Sequence, residues 1–519
     1  MEFFGIDFGN GTCSISKIDE TGSNLELLKN ISNEEKIKSK IHFIDLENVS
    51  VGKEILKSDE LENIELIKSK FGIEKGEEIV SGQIRSIQYC GAVLLNYLIK
   101  KVARKDNLKK VVITIPTIYG EIDRRILYES AQQASIEEVE LIEEPSAAAL
   151  YHIYKKYRKD KEVFLKGNNL LVFDFGTGTL DLSVVEIDYN KEGIKLIINN
   201  TKGARNLGGY LLDLLFAKYL LEIYIEKYMD EWLEEAFKIL NIYIQKYINS
   251  DYRYLKENVD LKMRLFIKDL ILYAENLKIR LSEEERVNTE ILNYKNIVVE
   301  REEFESNVID GLLSKRINDL INEFNSENTY KIDEIVMVGG MSQIPYIKNI
   351  LENKFKNKKI TTDKEYINAI SLGAAIASGL NSGANIEPFG SNRLNSVLSK
   401  DIFISFNNKS YLIFKKGASY PCKKIQKVEI PYSLCSSISV SIKEDDTEID
   451  KIEFYHPCFY TGDILNLKCF IDEKGIMKFE AEHDDSKEIL EMEINNKNRL
   501  NSKQINAGRE FINKKLNYI

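Results

Sequence analysis

Apolar positions along this chain follow two rhythms: short dense runs of strand-forming residues, and longer stretches with the three-to-four spacing of helices. Twice a dense run turns on an Asp followed by alternate glycines, as Gly5-Ile6-Asp7-Phe8-Gly9-Asn10-Gly11-Thr12 and as Val172-Phe173-Asp174-Phe175-Gly176-Thr177-Gly178-Thr179. Each copy then resumes strand character, through Cys13-Ser14-Ile15-Ser16 or Leu180-Asp181-Leu182-Ser183-Val184-Val185, so each predicts a hairpin rather than a strand-to-helix turn. Between the copies the pattern predicts a strand at Val111–Ile115, a helix at Asp123–Gln133, a strand at Val139–Ile142 and a helix at Ser146–Tyr157 after Pro145. Beyond the second copy it predicts a long helical region from about Leu211 to Leu281 and two short strands near Thr289 to Val299. A helix at Glu303–Phe324, a strand at Glu334–Val338 and a closing helix near Ala369 to Ser378 follow.

Strands alternating with helices imply an α/β layer fold, and the repeat predicts two halves of similar grammar facing each other across a cleft. Lobe I spans about 1–165 and lobe II about 166–381 of a nucleotide-binding unit at 1–381. Residues 382–396 turn to Asn, Ser, Gly, Pro and Phe without periodicity, the signature of a linker. Short β runs at Asp401–Phe406, Tyr411–Phe414, Ser437–Ile442, Lys451–Phe454, Leu465–Ile471 and Met477–Glu482 predict a β-sandwich over 397–498. Residues 499–519 form a short tail, in which Lys503 to Ile519 is either one amphipathic helix of four turns or a frayed end.

Composition narrows the function classes. A formal net charge of −10 over 519 residues, with Lys and Glu interspersed, argues against nucleic acid as the main partner. The first ten residues already read as a strand and its turn, which leaves no room for a cleavable leader. The apolar stretch Ala369 to Leu380 contains two serines and two glycines and reads as a core helix, so no membrane span is expected. Six cysteines without a C-x-x-C pair read as reduced thiols of a cytoplasmic protein. The four scattered histidines, His42, His152, His456 and His483, are assigned no chemistry.

The twin hairpins carry the chemistry. Glycine lets backbone N–H groups approach phosphate oxygens with no Cβ in the way, and Asp at the strand end supplies hard oxygens for Mg²⁺. Gly9, Asn10, Gly11 and Thr12 would cradle phosphate from one side, and Gly176, Thr177 and Gly178 from the other.

The ordered set of motifs resembles the 70-kilodalton heat-shock chaperone family, within the actin and hexokinase nucleotidase superfamily. Carrying the resemblance are the two hairpins and Val112-Ile113-Thr114-Ile115-Pro116 followed by Arg124. Ile142-Glu143-Glu144-Pro145-Ser146-Ala147-Ala148-Ala149, Leu207-Gly208-Gly209 and Val336-Met337-Val338-Gly339-Gly340-Met341-Ser342-Gln343-Ile344-Pro345 complete the set. It implies a two-lobed actin-like ATPase with duplicated ribonuclease-H-like halves followed by a β-sandwich. It implies ATP or ADP with Mg²⁺ held through Asp7 and Asp174, and K⁺ beside Asp181. Lys68 would stabilise the phosphoryl transition state, Glu144 would stand near the lytic water, and Thr179 near the γ-phosphate. Glu275, Lys278 and Ser282 keep the family spacing on one helix face and would reach ribose and base, with Gly339 and Gly340 allowing close backbone approach. Ile279 and Gln343 stand where the family places two arginines that sandwich adenine, a loss of about 0.5–2 kcal/mol per face. Pro116 and Arg124 match residues that pass nucleotide state to the peptide-binding domain. Three departures stand out: a short segment between Phe71 and Gln83, a longer helical region at Leu220 to Leu270, and no helical lid after the Phe470–Ala481 hairpin.

The expectation is an ATP-hydrolysing chaperone-like protein that binds unfolded or hydrophobic polypeptide segments, with a co-chaperone or exchange factor as further partner. Three readings compete with it: an actin-like nucleotide-gated scaffold or filament subunit, a small-molecule kinase of the same superfamily, and a nucleotide sensor with weak ATPase.

Overall fold

The computed structural model describes residues 1–519 except 53–62, 72–76, 81–82, 162–167, 191–192, 292–293, 363, 391–393, 396, 399, 432–434, 473–474 and 495–499. Both glycine-rich repeats are hairpins. In the first, β1 (Glu2–Phe8) pairs antiparallel with β2 (Thr12–Asp19), placing Asp7 opposite Ser14. With β3 (Leu25–Leu27), β4 (Leu108–Ile115) and β5 (Ile136–Glu143), they form a sheet of order β5-β4-β1-β2-β3, in which β4 runs parallel to β1 and to β5. Helices α1 (Ile87–Tyr97), α2 (Glu121–Gln133) and α3 (Glu144–Asp160) belong to this lobe.

Lobe II repeats the plan strand for strand. β6 (Asn168–Phe175) and β7 (Thr179–Asn190) form the second hairpin, with Asp174 opposite Asp181. With β8 (Gly193–Arg205), β9 (Glu334–Val338) and β10 (Lys359–Thr361) the order is β10-β9-β6-β7-β8, and β9 is parallel to both β6 and β10. The continuous apolar run Leu170 to Phe173 is buried along its length, as expected of a strand with both faces covered.

The long helical region is broken into α4 (Gly209–Tyr228), α5 (Glu231–Ile248), a short turn at Tyr254–Asn258 and α6 (Leu261–Leu281). Asp230 and Asp260 cap α5 and α6 with their side chains, which is why the breaks fall where they do. Tyr224, Tyr243 and Tyr247 pack into the lobe II core, against which Trp232 and Phe237 lie partly buried. The helix expected at Glu303–Phe324 runs from Arg301 to Glu327 as three pieces: a first turn, a wider π-helical stretch at Phe304–Leu313, and α7 (Ser314–Glu327). α8 (Pro345–Lys354) and α9 (Ala369–Asn381) complete the lobe.

Helices α3 and α9 pack together in a separate core shared by both lobes. The approach is close because Gly373 of α9 lies on the Ala147 backbone of α3, where a Cβ would collide with the Ala147 carbonyl. Residues 382–396 are anchored here where they are described: Ile386 and Phe389 are buried in the same core.

The C-terminal part is a sandwich. β11 (Ile402–Phe406), β12 (Lys409–Phe414), β14 (Cys435–Glu444), β15 (Thr447–Phe459) and β18 (Glu491–Ile494) form one sheet, and β13 (Cys422–Glu429), β16 (Ile464–Ile471) and β17 (Met477–His483) the other. The strand β13 was not foreseen. It is a sheet edge whose residues are mostly exposed and lysine-rich, a common protection against edge pairing that erases the hydrophobic alternation.

The tail is neither frayed nor detached. Helix α10 (Ser502–Lys514) lies on lobe I against α2, and a last strand, β19 (Asn517–Tyr518), pairs parallel with the lobe I strand Asn48–Val51. Ile512 is fully buried in the lobe I core.

Candidate functional site

The turn of each hairpin is held from its own side. The Gly9 carbonyl accepts a hydrogen bond from Ser39 Oγ at 2.7 Å, and Asn10 Oδ1 accepts one from the Ser69 backbone at 2.6 Å. The first turn is thereby tied to the helical turn Lys68–Lys70. On the other side the Gly176 and Thr177 carbonyls accept the Gly209 and Tyr210 N–H groups, both at 2.9 Å. These N–H groups belong to the open first turn of α4, which has no intrahelical partners for them. Gly208 makes this junction possible, since a Cβ there would strike the Thr177 carbonyl.

Across the cleft the two turns touch reciprocally. A Cβ on Gly11 would overlap the Thr177 side chain, and one on Gly178 would overlap Asn10. Gly176 and Gly340 instead look into open space. Between the turns lies a cavity of about 290 Å³ walled by Asp7, Gly9, Asn10, Gly11 and Thr12 of lobe I. Gly176, Thr177, Gly178, Thr179, Gly209, Gly339 and Gly340 of lobe II close it. Gly339 takes a positive φ of 83°, and a Cβ there would meet the Phe175 carbonyl.

Lys68, Glu144 and Asp174 line the same cavity. Lys68 Nζ lies 2.6 Å from Glu144 Oε1, both groups being buried. Glu144 stands there because it opens α3, with Pro145 beside it in the first turn, a position suited to a residue without N–H. Burial alone would disfavour the Lys68 ammonium, but Glu144 and Asp7 reverse this and its pKa is raised. Burial raises the Asp7, Glu144 and Asp174 carboxyls, and for Asp174 the neighbouring Glu144, Asp181 and Asp7 push further in the same direction. Burial and then Glu144 bring Asp181 up to about 7. Four carboxyl groups crowded at one place in low dielectric favour a cation among them. Carboxylate oxygens facing a glycine-lined cavity are the donor set of a hard divalent ion with phosphate ligands, so the residues fit Mg²⁺ and a polyphosphate.

Glu275 and Lys278 of α6 and Ser282 at its C-terminal end line the cavity, as does the exposed Ile279. Lys278 Nζ is bound 2.6 Å from Asp213 Oδ1 of α4 and 3.3 Å from the Gly209 carbonyl. Burial pushes Asp213 up to about 7 despite that lysine. Three of the anticipated residues, Asp181, Gly208 and Gln343, support the walls or lie nearby but do not line the cavity.

Sequence reasoning missed Lys36, whose ammonium lines the cavity and donates to the Ile367 carbonyl of lobe II at 2.9 Å. Burial lowers its pKa against the pull of Asp7 and Asp174. It sits in Glu34-Glu35-Lys36-Ile37-Lys38, a charged run that reads as a solvated face. Asp213, which holds Lys278, and the cavity-lining Ile367 and Ile370 were missed too, since no local pattern distinguishes them from core residues; Met341 and Ile344 belong to the Gly339–Pro345 motif but were not named as lining residues.

Pro116 lines the cavity, and three residues on the Tyr119 hydroxyl donates to the Lys68 carbonyl at 3.1 Å. Arg205 stacks over the Tyr119 ring at 4.1 Å and pairs with Asp123 at 2.7 Å. The β-sandwich begins directly beyond. Lys400 donates to the Ile118 carbonyl and pairs with Glu444, each at 3.4 Å, and Arg125 faces Asp450 at 3.7 Å. Arg124 pairs with Glu143 at 2.7 Å and borders a void of about 20 Å³ shared with Tyr420 and Glu444 of the sandwich.

The family model described as Hsp70 protein matches residues 76–242 and 238–402. The chain is similar to the chaperone protein DnaK of Thermosipho melanesiensis, with 31% identity over 73% of this chain and 59% of that protein. It is also similar to the chloroplastic heat shock 70 kDa protein 7 of Arabidopsis thaliana (26%, covering 63% and 40%) and to the chaperone protein HscA homolog of Rickettsia prowazekii (26%, covering 72% and 56%). The chain thus spans about half the length of these curated relatives. No helix among the described residues is long and apolar enough to cross a membrane.

Proposed function

The chain belongs to the Hsp70 family, and from that premise we propose that it is a magnesium-dependent ATPase whose nucleotide state governs how the β-sandwich holds hydrophobic polypeptide segments. The observation that carries this reading is the reciprocal contact of the two glycine hairpins around a cavity containing the buried Lys68–Glu144 pair. ATP or ADP would lie with its phosphates between the hairpins. Backbone N–H groups of residues 9–12 and 176–179 would bind the phosphate oxygens. Mg²⁺, when bound at Asp7 and Asp174, supplies neutralisation of the polyphosphate charge.

Glu144 is the proton acceptor for the attacking water. Its carboxyl, raised by burial, is a stronger base than an exposed glutamate, and Lys68 fixes its direction. Lys68 also places a positive charge against the developing charge of the transferred phosphoryl group. Thr179, in the second turn, orients the terminal phosphate. The docked sandwich feels the outcome through Pro116, Tyr119 and α2, because the hydroxyl that holds the Lys68 turn belongs to the segment that meets Lys400 and Glu444.

The test is ATP turnover with and without an unfolded polypeptide, in the unaltered protein, Lys68→Ala and Asp174→Asn. Turnover stimulated by polypeptide and reduced about 10²- to 10³-fold in both variants supports the proposal. Turnover indifferent to polypeptide would favour a nucleotide-gated scaffold or sensor, and turnover unchanged in the variants would remove Lys68 and Asp174 from the mechanism.

A further inference from the structure

Beside its glycines and charged groups the cavity has an apolar wall of Ile279, Met341, Ile344, Ile367 and Ile370, five flexible or branched aliphatic side chains, where the nucleoside of the ligand proposed above would lie. The polar side chains of residues 275–282 that line the cavity each have a partner within the protein. Glu275 is paired with Lys38 at 3.4 Å, Lys278 with Asp213 at 2.6 Å, and Ser282 Oγ donates to the Lys278 carbonyl at 3.0 Å.

Part of the neighbouring backbone is engaged as well. The Ser342 and Ile344 N–H groups donate to the Gly339 and Met341 carbonyls, Ser342 Oγ donates to Val338, and the Ile367 carbonyl accepts Lys36. A base lying against this wall therefore meets broad apolar surface, beside polar groups that already have protein partners.

Adenine and guanine differ in their hydrogen-bonding edges but share a flat purine ring of nearly equal area. A site that hydrogen-bonds a particular edge discriminates by about 10⁴-fold or more, whereas an apolar slot separates similar shapes only weakly. Resting on the polyphosphate reading above, we propose that this protein takes purine nucleoside triphosphates as a class, binding ATP and GTP with similar affinity, and that the phosphates and not the base select the ligand.

Calorimetric titration of the full chain with ATP, GTP and inorganic tripolyphosphate, each with Mg²⁺, tests this. The expected result is ATP and GTP dissociation constants within about tenfold of each other, as an apolar slot allows, with tripolyphosphate also bound. A preference of more than tenfold for either purine overturns the inference while leaving the phosphate site intact. Absence of binding by all three overturns both. A second variant, Ile279→Arg, changes an exposed position and so leaves folding undisturbed. Stacking of the guanidinium on either base should tighten both nucleotides several-fold without separating them, and a gain confined to ATP would contradict the proposal.

Discussion

The two lobes share strand order, hairpin and a cavity-facing aspartate, yet they spend their outer surfaces differently. In lobe I the segment after β4 and helix α2 receive the β-sandwich and the tail. In lobe II the segment after β8 opens into α4 to α6, which reach back over the cavity with Lys278, Ile279 and Ser282. One half of the duplication has become the surface for other parts of the chain, the other a wall of the cavity. The two turns stay in close approach across the cavity, Gly11 against Thr177 and Gly178 against Asn10, so a shift of one displaces the other.

The largest effect expected from breaking this division lies in the tail. Ile512 is fully buried among lobe I residues, and around it Arg509 donates to the Gln132 carbonyl at 2.7 Å and the Tyr518 hydroxyl to Asn96 at 2.9 Å. Truncation of a buried isoleucine costs about 2–5 kcal/mol. Ile512→Ala should therefore lower the urea midpoint of lobe I, not only of the tail. A midpoint shifted by less than ~0.5 kcal/mol equivalent, the scatter expected for a surface change, would mean that lobe I does not depend on its covering.

The second effect tests the reciprocity of the turns. Gly11→Ala inserts a methyl group into Thr177, and Gly178→Ala inserts one into Asn10. Each pushes the same two turns apart, so each should weaken magnesium-nucleotide binding by about tenfold to a hundredfold, the consequence of roughly 1–3 kcal/mol of overpacking. Equal losses in a titration would sustain the symmetric clamp. A loss in only one variant would assign phosphate binding to a single hairpin.

What could be read in advance follows the same division between local and distant causes. Asp7, Asp174 and the glycines beside them were legible because their pattern is carried by adjacent residues and its duplication removes ambiguity. Glu144 and Lys68 could be named through resemblance, although no spacing in the sequence indicates that they meet at 2.6 Å. Lys36 and Asp213 were illegible because their partners, Ile367 and Lys278, are remote in sequence. The tail was half legible: its amphipathic period was visible, but the Gln132 and Asn96 groups that receive it were not. The shortened segment between Phe71 and Gln83 falls largely outside the described residues.

The smallest effect sharpens the contrast in electrostatics. In lobe I, Glu65 is held down at about 2: burial opposes its charge, but Lys268 and Lys40 outweigh that burial. It contributes stability that is present above the ordinary glutamate range and lost as pH falls through about 2. In lobe II, Asp213 is pushed up to about 7, chiefly by burial. The folded protein then holds a proton that the unfolded chain releases near pH ~4. This contribution is complete below that value and is lost as pH rises through about 7. Asp213→Asn keeps the shape and removes the titration. In urea unfolding at pH 5 and pH 7 without nucleotide, the variant should lose part of the downward slope, by at most about 1.4 kcal/mol per pH unit. An unchanged slope would show that Lys278, at 2.6 Å, keeps Asp213 ionised throughout, making the α4–α6 contact a permanent ion pair and not a proton-holding one.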